Sequence, residues 1–574
     1  MPCFLIGELK LLTMKYEIFF KIGVYKIYSL VIIMFGTLLR VLLAALKWPL
    51  LNSDEGTMGI MALHIAYRGE HPTFYYGQNY MGTLDAYIGA GLFQGFGSSI
   101  FTLRLGIIML YVPFMLAMYF LTSALYTKRL ALASLVLLSL GSIPILILEV
   151  SPIVYPDILF FGASAFLLAV WLTLSYNQDV VQHRHWLRLL GYACWGCVAG
   201  LAVWSDPLIL PYLASASLLL VVFCWREMIF KLGGICLLLG LVVGASPLII
   251  YNLKASPGQD SLSIFLRQTH PATSVPGSLI PLSMHIVNTI LYNIPTATGN
   301  PLCPLVFSQG PVNTPGLRCV IVHASWSLGL IVLWLVAVFL AIMALWKLKH
   351  DFRGQLSSSE QKCSIIREFA RIMLLVSMGI TVLFFTLSTA SIPSSAGNAR
   401  YLHCLLISLP ACIWPLWIGA RMIEPSVALL AKIKVALSRG MLLLIFIMFL
   451  TGTIAAFFDI HAISSIGQQR EAVLNKLESM NIKHFYTDDY WTCYRIAFAS
   501  RENITCAVIG SDLLPSSTRN RCWPYVLQAQ ADPHVAYLLP RNDPQTPFIV
   551  RNAHLANGNY LGVELYGYVI YQPM

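Results

Sequence analysis

Polarity along this chain alternates on the scale of a bilayer rather than of a single turn. Apolar runs of about 20 residues, each long enough to cross a hydrocarbon core as a helix rising ~1.5 Å per residue, recur between short polar segments. They fall at 25–46, 100–126, 130–148, 156–176, 189–204, 207–223, 232–251, 320–346, 369–390, 401–418 and 439–458. A shorter run at 84–96 reads as a helix lying on the outer membrane surface. Beyond 458 the hydropathy falls and the periods become those of a soluble domain. QQREAVLNKLESM and YWTCYRIAFASR have helical spacing, HFYTDD and CAVIGS read as short strands, and YLGVELYGYVIYQ as a closing strand. The pattern therefore predicts an all-α polytopic membrane bundle of about 11 transmembrane helices over 1–458, followed by an α/β domain over 459–574.

Composition excludes a water-soluble enzyme. Mean hydropathy is +0.71, and 57% of the 574 residues are hydrophobic against 11% charged, more apolar chain than one soluble core can bury. The net charge of +11 does not indicate nucleic acid, because the cations are scattered between apolar runs instead of forming a basic stripe. They act as topology signals. Lys10, Lys15, Lys21 and Lys26 place the N-terminus on the cytoplasmic side, and Lys128, Arg129, Arg184, Arg188, Arg226 and Lys231 then fall inside as well. The expectation is a multi-pass protein of the inner or plasma membrane with an extracytoplasmic C-terminal domain, its first span serving as an anchor. Of the 13 cysteines, Cys303, Cys319, Cys493, Cys506 and Cys522 fall on the outer side, where at most two bridges can close among five. Cys194 and Cys197 have CxxC spacing but sit inside a span with no second pair, so a metal reading is rejected.

Chemistry concentrates in the first outer loop, 47–99, which begins at the membrane surface. LNSDEGTMGIMALHIAYRGEHPTFYYGQNYMG carries adjacent carboxylates, Asp54 and Glu55, then His64, Arg68, Glu70, His71 and a run of aromatics. Carboxylates accept protons, and flat rings lie against sugar faces; His71, Tyr75, Tyr76, Gln78, Asn79 and Tyr80 are candidates for binding a sugar or acceptor. The bland alternative is a solvated loop. Further acids stand at Glu149, Asp157 and Asp206 in later outer loops; Asp206 before Pro207 fits a helix cap. Arg40 near the outer end of the first span is expected to snorkel or to reach Asp54, Glu55 or a lipid phosphate, and Arg104 reads equally as a headgroup anchor or a catalytic group. The long outer loop 252–319, rich in Pro, Gly, Ser and Thr, has the length of a lid or substrate channel and offers Lys254, Arg267, His270 and His285. Arg400 and Tyr401 stand where an outer segment re-enters the membrane, a depth at which a guanidinium can grip a phosphate.

Taken in order, SDE at 53–55 after the first span, a surface helix ending in FG, RL at 104–105, an acid in the second outer loop and Arg400-Tyr401 before a late span resemble the GT-C-fold membrane glycosyltransferases. The likeness is to the protein O-mannosyltransferases, the lipid A aminoarabinose transferases and related bacterial membrane transferases, and covers the chain to about Ile418. It implies an inverting transferase that moves a sugar from a polyprenyl-phosphate donor to a hydroxyl of a glycan, lipid or protein acceptor. Asp54 takes the role of base, with Glu55 as the second catalytic carboxylate, holding geometry or the acceptor, and Arg400, Arg68, Arg267 and Lys254 compete to hold the donor phosphate. Asp157 and Tyr401 join the sugar and acceptor set. No cofactor is implied; a divalent metal between Asp54 and Asp157 is a lesser alternative, unsupported by any His or Cys at ligand spacing. A flippase for a lipid-linked saccharide predicts paired broken helices and mid-membrane acids, and a non-catalytic scaffold predicts a silent Asp54→Asn change.

Overall fold

The computed structural model describes residues 2–153, 155–176, 185–269, 281–303, 316–350, 358–392, 396–421 and 429–574, with side chains from residue 23 onward. Among the described residues nine helices are long and apolar enough to cross a membrane, or eleven if each of two bent pairs counts as one span. The bends fall where single runs were expected. Residues 130–148 divide into helices Lys128–Ser139 and Ile143–Val150, which meet at 87°. Residues 232–251 divide into Gly233–Gly244 and Ser246–Lys254, at 64°. A proline sits in the first turn of each second half, where its missing N–H is harmless but where it cannot continue a preceding helix.

Close helix contacts in the bundle are made by small residues. Gly196 and Gly200 on helix His185–Ser205 face Gly240 and Gly244 on helix Gly233–Gly244; a Cβ on Gly196 would lie 2.0 Å from the Leu237 carbonyl oxygen. No other residue type fits there, and the gain is backbone-to-backbone van der Waals contact of the kind that holds helices together in lipid.

The segment after the first span, expected to be a loop, is helical over Ser53–Arg68. Helix α1 (Pro2–Ala45) ends below it, and α2 (Ser53–Arg68) begins with Asn52 as its N-cap, whose side chain accepts from the Glu55 amide at 2.9 Å. Asp54 and Glu55 lie in the first turn, next to the positive end of the helix dipole, and Gly69 at φ 69° closes the last turn. After α2 the chain folds over the corner at 204–206: Trp204 Nε1 donates to the Thr73 carbonyl at 2.9 Å and the Gly82 amide to the Ser205 carbonyl at 2.8 Å. Helix α3 (Leu84–Phe96) takes the bounds expected for the short helix, and α4 (Ile100–Leu125) follows, capped by Ser99.

A 51-residue helix, Leu429–Ser479, runs unbroken from the bundle past residue 458 into the C-terminal domain. That domain is a five-stranded sheet in the order β2-β1-β3-β5-β4. β1 (His484–Thr487) is parallel to β2 (Thr505–Val508) and β3 (Ala536–Pro540); β4 (Tyr560–Leu565) and β5 (Tyr568–Pro573) complete it antiparallel. The single closing strand expected from the sequence is thus a hairpin, turned by Tyr566 and Gly567, both at positive φ. Met58, Met61 and Phe93 share one apolar core with Phe485, Phe498 and Leu538, so the sheet domain is seated directly on α2 and α3. Of the five cysteines expected on the outer side, four form two bridges, Cys303–Cys319 and Cys493–Cys506, and Cys522 is free and buried.

Candidate active site

Asp54 stands at the first turn of α2, its side chain 15% exposed, with one carboxylate oxygen toward each half of the protein. Oδ1 accepts a 2.6 Å hydrogen bond from the Tyr490 hydroxyl of the C-terminal domain. Oδ2 lies 3.7 Å from the Arg400 guanidinium of the bundle. Tyr490 is positioned by Asp489, which caps the helix Tyr490–Ala499 at the carboxyl end of β1. Burial, and then the Asp54 charge, push the Tyr490 phenol well above its ordinary value, so it remains a proton donor.

Around this contact gather a second guanidinium and several phenols. Arg521 donates through Nε to the Tyr490 hydroxyl at 3.4 Å and lies 5.3 and 5.7 Å from the centres of the Tyr490 and Tyr75 rings. Burial works against its charge, but Tyr490, Tyr75 and Asp54 together outweigh that and hold the guanidinium above its usual range. Tyr75 donates to the Asp54 backbone carbonyl at 3.2 Å. Arg400 leans on Tyr401, which accepts at 3.3 Å, and its Nε is buried with no hydrogen-bond partner among the described residues. Tyr155 and Asp206 lie within its electrostatic reach. Asp206 caps the turn at Pro207, as expected, by accepting from the Leu208 amide at 2.8 Å; burial raises its carboxyl to about 7, against the opposing pull of that amide and of Arg400.

The structure separates Glu55 from its neighbour. One residue further round α2, it turns into the protein and forms a two-bond ion pair with Arg104, at 3.0 and 2.9 Å, both groups buried. Arg104 is therefore no headgroup anchor. Nor does Arg40 snorkel or reach Asp54: it pairs with buried Glu149, donates to the carbonyls of Gly36, Leu138 and Ser139, and lies under the Tyr111 ring. A buried guanidinium is costly unless its donors find partners; the end of the helix Lys128–Ser139 supplies two carbonyls and α1 a third, and Nε alone is left without a partner among the described residues.

Of the cations expected to hold phosphate, Arg400 is at Asp54 and the other three are placed elsewhere. Arg68 is at the far end of α2, paired with Glu502 at 2.7 Å. Arg267 donates to the Gly258 carbonyl, and Lys254 is exposed at the end of its helix. Asp157 is buried, accepts from Ser205 at 3.0 Å and neighbours Asp85. Tyr80, half-buried, lies near Tyr401, Arg400 and Asp206. Tyr76 instead donates to Glu70 and meets His64, His71 stacks on Tyr87, and Gln78 and Asn79 form a tight turn beside Gly77 and Tyr251. His285 bonds Ser391, and His270 lies outside the described residues. Among the described residues no cluster of three or more His, Cys, Asp or Glu could hold a metal ion.

No family model matches the chain, and no curated protein matches it. Among solved structures it is similar to ArnT from Cupriavidus metallidurans in the apo state, at 11% identity and a TM-score of 0.49, over 90% of this chain and 93% of that one. It is also similar to the oligosaccharyltransferase AglB from Archaeoglobus fulgidus, solved with an inhibitory peptide and a dolichol-phosphate, at 13% identity and a TM-score of 0.44, over 96% and 74%. The same archaeal enzyme with zinc and sulfate gives 12% identity and a TM-score of 0.48, over 95% and 72%. These are likenesses of shape, and the functional reading rests on the site.

Proposed function

We propose that the chain is an inverting glycosyltransferase that moves a sugar from a polyprenyl-phosphate donor to an acceptor hydroxyl at the extracytoplasmic membrane surface. The observation that carries this reading is Asp54: a partly exposed carboxylate held 3.7 Å from Arg400, at the start of a helix that follows the first span. An acceptor hydroxyl gives its proton to Asp54 as its oxygen attacks the anomeric carbon from the face opposite the donor phosphate. The bond from that carbon to the phosphate oxygen breaks, and the bonding electrons leave with the phosphate. Arg400, whose Nε has no hydrogen-bond partner among the described residues, meets that anion as a planar fork. Attack and departure on opposite faces invert the centre. Tyr75, Tyr80 and Tyr401 offer rings to the sugar, and Glu55 acts at one remove, fixing α2 through Arg104. The Cys493–Cys506 bridge supports an oxidising, non-cytosolic location for the C-terminal domain, and Cys303–Cys319 the same for the segment 303–319 of the membrane module.

The test is purified protein with a panel of polyprenyl-phosphate sugars and hydroxyl acceptors, wild type beside Asp54→Asn. Turnover by wild type and a loss of about 10² or more in the variant is expected. Equal turnover by both removes Asp54 from the mechanism.

A further inference from the structure

The contacts that Asp54 makes on its solvent side come from a part of the chain more than 430 residues away. The Tyr490 hydroxyl donates a hydrogen bond to Asp54 Oδ1 and accepts one from Arg521 Nε, so the three groups form a single directed chain from the C-terminal domain to the carboxylate. The seating of that domain is specific. Ser53, beside Asp54, donates to the Tyr490 carbonyl at 2.6 Å. A Cβ on Gly56 would lie 2.5 Å from the Tyr494 carbonyl oxygen, and one on Gly59 2.5 Å from the Phe498 ring. Gly56 thus lets the helix Tyr490–Ala499 approach α2 backbone to backbone, Gly59 makes room for the Phe498 ring, and at this separation the phenol at the helix's first position reaches Asp54. Arg521 is fixed in turn, since the amides of Arg521 and Cys522 both donate to the buried Tyr494 hydroxyl and the Arg521 stem packs against Gly77.

We propose that Tyr490 and Arg521 are positioning residues of the transfer site, so that the C-terminal domain completes the site rather than merely covering it. Resting on the functional reading above, this assigns Tyr490 to orienting the Asp54 carboxylate, with Oδ2 turned toward the reacting hydroxyl, and Arg521 to orienting Tyr490. No bond to substrate is made by either group. Loss of the phenol therefore frees the carboxylate to turn away from the reacting hydroxyl, which lowers the rate of the chemical step while Arg400 keeps its hold on the donor.

The test uses the full chain in lipid nanodiscs with a donor that wild type turns over, comparing Tyr490→Phe, Arg521→Ala, Arg521→Lys and, as a control on the same domain, Arg541→Ala, which touches only an exposed pair with Glu564. For Tyr490→Phe the expected result is a fall in kcat of about 10- to 100-fold, the range for a hydrogen bond to a charged group, with donor KM and binding of a fluorescent polyprenyl phosphate within about twofold of wild type. Arg521→Ala falls less, Arg521→Lys recovers part of that loss, and Arg541→Ala matches wild type. Unaltered kcat in Tyr490→Phe overturns the proposal, as does a loss matched by equal losses of thermal stability and donor binding, which marks a merely structural role. Failure of wild type to turn over any donor takes down the functional reading itself, a separate outcome.

Discussion

Replacing Glu55 separates a reagent from a support. The Glu55 carboxylate and the Arg104 guanidinium are 0% and 1% exposed and share two hydrogen bonds of 3.0 and 2.9 Å. At an effective dielectric near 20 their attraction at that distance is about 6 kcal/mol, a gain largely cancelled by the several kcal/mol needed to strip water from each ion. Removing one partner alone keeps the cost and forfeits the attraction. Glu55→Leu or Arg104→Met should each destabilise the protein by about 3–5 kcal/mol, whereas the two together should lose no more than about 1–2 kcal/mol. Denaturant unfolding of the purified protein in mixed micelles, monitored by tryptophan fluorescence and combined as a double-mutant cycle, measures the coupling. Additive losses would refute the argument. So would a Glu55→Gln protein that unfolds like wild type but has lost turnover, since that is the behaviour of a catalytic acid.

Two further outcomes follow from the site. Arg400→Ala should raise the donor KM by about tenfold or more and weaken binding of a polyprenyl phosphate, with Arg400→Lys only partly restoring either, because a point charge lacks the planar fork; unchanged donor binding in Arg400→Ala would exclude the phosphate role. Asp206 titrates near 7 in the folded protein against 3.8 unperturbed, so the folded state binds the extra proton and stability falls as pH rises from about 4 to about 7, by up to about 4 kcal/mol. Asp206→Asn, which retains the capping oxygen, should match wild type near pH 4 and exceed it in unfolding midpoint at pH 8; a constant difference across that range would contradict it.

Spans were legible because lipid demands long apolar runs whatever the tertiary packing, and the short helix at 84–96 stood out as too short to cross. Bends at 141 and 245 were not, since hydropathy windows do not register direction. Helix α2 was concealed by Gly56 and Gly59, which read as loop residues but serve the close approach of the helix Tyr490–Ala499; the signal that could have found it is Asn52 three residues before Glu55, a capping pair. Asp54 and Arg400 showed in the sequence by depth alone, as polar groups at membrane boundaries. Glu55 could not be told from Asp54, because a difference of one position on a helix, about 100°, becomes inward or outward only once Arg104 is placed. Tyr490 stood where HFYTDD gives way to the helix YWTCYRIAFASR, yet nothing local links it to α2. Arg521 had no sequence signal beyond its charge.

The helix Leu429–Ser479 is one rod of 51 residues, roughly 76 Å at 1.5 Å per residue, rooted among lipid at one end and in the sheet at the other. A rod of this kind sets both altitude and phase. Adding or deleting one residue along it would shift everything beyond by only ~1.5 Å but swing it through ~100°, enough to carry the Tyr490 hydroxyl off α2 altogether. The length of this helix is therefore counted in whole residues against the height of the bilayer.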